Sequence, residues 1–105
     1  MVIDDSSALI QAAAEVMGTT PEEITGREKT AAVAFARQVV MALWCESHSL
    51  QKSCELVGRH HHTSSVYARR TIHEKLQYCP ATRERMMKIL ARYREIVLAK
   101  ESPEQ

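Results

Sequence analysis

The chain has 105 residues, which suits one small domain with a modest core and is too short for two. Glycine and proline occur three times each, alanine, leucine, glutamate, arginine and methionine are common, and no alternating apolar/polar stretch is long enough for a strand, so the composition predicts an all-α chain. The net charge of +1 hides an asymmetry: residues 1–25 carry five acids and no base, while residues 59–94 carry nine bases against Glu74 and Glu84, a local excess of +7. No apolar run approaches the ~20 residues of a membrane span.

Asp5 or Ser6 caps a first helix with apolar positions Leu9, Ile10, Ala13, Val16 and Met17, and Gly18 is placed to end it in a left-handed cap. Thr20-Pro21-Glu22-Glu23 has the form of a capping box with proline in the first turn, opening a short helix that stops at Gly26. Arg27-Glu28-Lys29 forms a small charged loop. The longest periodic segment, about Thr30 to Glu46, carries Val33, Ala36, Val40, Leu43 and Trp44 and is read as the spine of the core. Ser49 caps a helix over Leu50–Val57 that Gly58 ends. Another helix starts near His61–Thr63 and runs to about Tyr78. Pro80 then breaks the chain and opens a last helix, about Ala81 to Ala99, with a stripe of Met86, Ile89, Leu90, Tyr93, Ile96 and Val97. Residues 1–100 read as a single domain, and the end, from Lys100 or Glu101 to Gln105, as a frayed tail. Trp44 and the methionines Met41, Met86 and Met87 are read as core, and His73 as a surface or half-buried residue.

The three cysteines, Cys45, Cys54 and Cys79, have no metal or redox spacing and are expected to be reduced and buried, as in a cytoplasmic protein. His60, His61 and His62 stand in a row between Gly58-Arg59 and Thr63-Ser64-Ser65. Adjacent helical side chains diverge by about 100°, so the triplet does not converge on a metal as an i, i+4 pair does. No nucleophile–base–acid set is visible, and neither an enzyme nor a cofactor is expected. A short helix, a glycine and a second helix with polar residues at its start have the layout of a helix-turn-helix.

Those residues carry a resemblance. From about Leu9 to Tyr78 the chain resembles the C-terminal DNA-binding domain of the bacterial replication initiator DnaA. Ala36-Arg37-Gln38-Val39-Val40-Met41-Ala42-Leu43 is similar to the family's "-RQ-AM-L" helix, and Ser49-Leu50 to its "SL". Gly58, His62, Thr63 and Ala68 fall on positions of "FGGRDHTTV" and the alanine beyond it, and Arg27 and Lys29 lie at the family's basic loop. The register needs no gap from Ile24 to Ala68.

The resemblance implies a Trp-repressor-like bundle of about six helices containing a helix-turn-helix. It implies double-stranded DNA as partner, with Arg27 and Lys29 in or near the minor groove. His61, His62, Thr63 and Ser64 would read the major groove, with Ser49, His60, Arg69 and Arg70 as further contacts. Arg37 is either a contact or a brace for the loop. Three positions depart: the motif's arginine is His60, its aspartate His61 and its valine Ser65. An aspartate only accepts hydrogen bonds and a histidine also donates, so the preferred base should change. The initiator's phosphate-binding loop, G-x-x-x-x-G-K, does not occur. The implied role is regulation of replication initiation or transcription in a bacterial cytoplasm, associated with the nucleoid. The alternative is a protein-interaction module acting on the initiator DnaA through the acidic first helix or the last helix. Oligomeric state and target sequence are left open.

Overall fold

The computed structural model describes residues 2–101, which form six helices and no strand. They are α1 (Ser6–Met17), α2 (Pro21–Thr25), α3 (Ala31–Trp44), α4 (Leu50–Leu56), α5 (Thr63–Tyr78) and α6 (Pro80–Glu101). The all-α fold expected from composition is the fold observed. None of these helices is long and apolar enough to cross a membrane.

Local chemistry sets most boundaries. The Asp5 carboxylate accepts from the Ala8 N–H and starts α1, and Gly18 closes it at φ 70°. Thr20 and Glu23 exchange both bonds of the capping box at α2. The hydroxyls of Thr30 and Ser49 cap α3 and α4. Each such cap satisfies an otherwise orphan N–H and is worth about 1 kcal/mol.

Helix α3 lies at the centre, packed chiefly on α5 and α1, while α6 packs chiefly on α1. Alanines 8, 12 and 13 of α1 are fully buried and let its neighbours approach closely. Leu9, Ile24, Val33, Val39, Val40, Ile72 and Ile89 fill the space between elements, each contributing roughly 1.5–3 kcal/mol by burial. At the edge, Lys75 and Arg85 lie 5.5 and 5.7 Å from the centroid of the Phe35 ring, and Arg83 donates to the last carbonyls of α5, those of Leu76 and Gln77. Trp44 is buried as expected, with the His48 ring stacked on it at 3.9 Å.

The structure corrects three expectations. Met87 is 71% exposed rather than core, because the buried stripe of α6 uses Met86, Ile89, Tyr93 and Ile96 and leaves Met87 on another side. Only Cys54 is buried, while Cys45 and Cys79 are half-buried near helix ends. Helix α6 continues through Lys100 to Glu101, since the Lys100 ammonium bonds the Asp5 carboxylate (3.1 Å) and the Ser7 hydroxyl (2.9 Å) at the start of α1. The rest of the expected tail, 102–105, lies outside the described residues.

Candidate nucleic-acid interface

Helices α4 and α5 and the turn between them form the helix-turn-helix. Gly58 makes the turn, with φ at +75° in the left-handed region where a side chain is strained. It also has no room for one: a Cβ there would stand 2.6 Å from the Thr25 carbonyl oxygen. The turn is therefore seated directly on the end of α2, where the basic loop begins.

Two arginines reinforce this junction. Arg37, on α3 and only 6% exposed, donates from Nε to the Ile24 carbonyl (2.7 Å). Its Nη2 donates to the carbonyls of Glu23 (2.9 Å) and Gly26 (3.2 Å). Arg59, in the turn, donates from Nη1 to the same Gly26 carbonyl at 3.1 Å. Burial, with the Arg59 charge adding to it, pushes the Arg37 guanidinium below its ordinary pKa, yet arginine stays protonated across the physiological range. The acceptors are carbonyls at the end of α2 and just past it, one of which, that of Glu23, also takes the Gly26 N–H, so one cluster bonds to a helix end and binds it to the turn. Arg37 is thus the brace rather than a surface contact.

The loop residues Arg27 and Lys29 are exposed on one side of this junction. On the other, His60, His61, His62 and Thr63 are exposed and Ser64 is half-buried. His62 is the residue before α5 and makes no side-chain cap; the Ser64 and Ser65 N–H groups bond instead to the carbonyls of His61 and His62, at 3.0 Å each. The His60 carbonyl accepts from the Gln51 amide of α4 at 3.3 Å, which ties the triplet back to the first helix of the motif. Ser49 is exposed, and its hydroxyl accepts from the Lys52 N–H.

Along α5, the exposed residues Thr63, Tyr67, Arg70 and Glu74 follow one another at i, i+4, i+7 and i+11, opposite the buried Ser65, Ala68 and Ile72. Arg70 therefore continues the outward face that Thr63 begins. Arg69 lies to the side, where it pairs with Glu46 of the α3–α4 link at 3.7 Å. Tyr67, 62% exposed, stands between Thr63 and Arg70 and escapes a reading based on charge and hydroxyls. The spacing of four from Thr63 was the signal for it. Ser65, at the motif's valine position, is fully buried with an unpartnered hydroxyl and cannot read a base. Among the described residues no group of three or more histidine, cysteine or carboxylate side chains is placed to hold a metal ion.

No curated protein matches the chain. The family model of the bacterial DnaA protein helix-turn-helix matches residues 6–72, from the start of α1 to the middle of α5. That span contains the Thr20, Thr30 and Ser49 caps, the braced loop and the glycine-ended turn described above. With most of its length inside the match, the chain belongs to the family of the bacterial DnaA helix-turn-helix domain.

Proposed function

We propose that this chain binds duplex DNA and regulates replication initiation or transcription. In this reading Arg27 and Lys29 enter or border the minor groove. His61, His62, Thr63 and Ser64 address base edges of the adjacent major groove, and Tyr67 extends that face. Ser49, His60, Arg69 and Arg70 serve as phosphate and flanking contacts. A phosphate near the start of α5 would meet the positive end of the helix dipole.

The observation that carries the reading is the shared Gly26 carbonyl. Arg37 of the core and Arg59 of the turn both bond to it, next to Arg27. A loop and a helix start that address two neighbouring grooves need a fixed separation, and this junction provides it. The reading as a protein-interaction module relies on the acidic first residues. Asp5 and Glu15 are already paired with Lys100 and Arg92 of α6, which leaves that surface less acidic than the sequence suggests.

The test is selection from a randomised duplex pool at about 100 mM salt, with sequencing of the bound fraction. Enrichment of a motif supports sequence-specific recognition, and its difference from the initiator's own box reports what His60 and His61 change. Binding without enrichment that disappears at modest salt leaves only the phosphate term, and the base-reading roles fall.

A further inference from the structure

Helix α6 has a second face that the core does not use. Glu84, Met87, Ala91, Arg94, Leu98 and Glu101 recur at alternating steps of three and four residues, and every one is exposed. This is the spacing of a coiled-coil seam, on the side of the helix away from Met86, Ile89, Tyr93 and Ile96. Its two large apolar members are 71% (Met87) and 55% (Leu98) exposed. Beside Leu98 lies a groove of about 520 Å³ between α6 and the N-terminal segment, lined by Val2, itself 70% exposed, and bordered by Asp4, Glu101 and Arg94.

We propose that this face binds a second copy of the chain, with the two α6 helices antiparallel about a two-fold axis near residues 92 and 93. The sequence selects both the partner and the direction. In a parallel pair Arg94 would face Arg94 and Lys88 would lie near Arg83, like charges in both places. In the antiparallel pair Met87 of one copy meets Leu98 of the other and fills the groove beside Val2. Arg94 crosses the small Ala91. The flanking positions then place Lys88 against Glu95 of the second copy, twice by symmetry. Asp4 and Glu101 at the groove receive Arg83 from the basic start of the other helix. Glu84 and Glu101 approach only at the ends of the seam, where Lys88 and Arg83 flank them. Opposite charges at flanking positions and a self-complementary patch are what an isologous helix pair requires.

The interface is small, so association should be weak, with a midpoint on the order of 0.1 mM. The test is the molar mass of the full chain without DNA, by sedimentation or light scattering over a concentration series. Keeping DNA out separates this result from the DNA-binding reading. The mass should rise from monomer toward dimer, and Met87→Glu should abolish the rise. Lys88→Glu or Glu95→Lys alone should weaken association about three- to tenfold, and the two together should restore it, because the swapped pairs again carry opposite charge. All three side chains are exposed, and a helicity measurement confirms that each variant folds. A monomer up to about 1 mM, a dimer indifferent to Met87→Glu, or a double swap that fails to restore association would each overturn the proposal.

Discussion

Two side chains near the junction show how far a single residue can be read. Arg37 is buried, and among the described residues no carboxylate pairs with it; three carbonyls hold it instead. Its sequence position leaves open whether it meets DNA or braces the loop, because that depends on which way one face of α3 turns. Arg37→Met keeps the bulk but strands the Ile24 carbonyl and leaves that of Glu23 with the Gly26 N–H alone, and should cost about 2–4 kcal/mol in urea unfolding. Arg37→Lys should recover little, since an ammonium lacks the fork that reaches three acceptors. Ser65 is the opposite case. Its hydroxyl is buried without a partner, so Ser65→Ala should raise stability by about 1 kcal/mol while DNA affinity stays unchanged. A loss of stability in that variant would show that the hydroxyl has an acceptor.

At the scale of elements, what is legible depends on how local the cause is. The Thr20–Glu23 box, the Ser49 cap and the left-handed glycines lie within a few residues of the groups they satisfy, and the sequence predicts them at their observed places. The candidate interface is legible as far as its motif goes, through Arg27, Lys29 and the His62-Thr63 start of α5. What holds the motif's two halves together is not, because Arg59 reaches a carbonyl 33 residues away and no periodicity records such a bond. Helix α6 fails in another way: it carries two stripes, and hydrophobicity alone assigns Met87 to the wrong one. Gly58 joins the local and distant causes. Gly58→Ala meets both the positive φ and the Thr25 oxygen, so it should destabilise by about 2 kcal/mol or more and also weaken DNA binding, by separating the loop from the turn. Equal weakening of a non-specific and a specific duplex in that variant would argue against a role in spacing the two grooves.

The whole molecule is closed by charge at its ends. Asp5 caps α1 and binds Lys100 of α6, and the Ala8 N–H followed by the Lys100 ammonium holds its carboxyl below the usual carboxylate range. A carboxylate lowered by folding contributes stability that is fully present above its unfolded pKa of about 4 and is lost as the pH falls further, through the folded value. Stability measured from pH 6 down to pH 2 should therefore decline below about pH 4, and Asp5→Asn should flatten that part of the decline. On DNA, neutralising about five phosphates should give a slope of log K against log salt near −4 to −5, and a slope near zero would sink the DNA-binding reading. The Gly26 junction bears on the same quantity. The guanidinium groups of Arg37 and Arg59 are anchored by carbonyl dipoles, which carry no net charge, and no carboxylate pairs with Arg27 or Lys29 among the described residues. Arg37 and Arg59 are thus fixed in place without being neutralised, and among the described residues Arg27 and Lys29 stay unpaired beside them. With only Glu28 between Arg27 and Lys29 to oppose them, their field reaches about a Debye length into the solvent at the point where two grooves would be entered, so an approaching polyanion would be drawn there before any hydrogen bond forms.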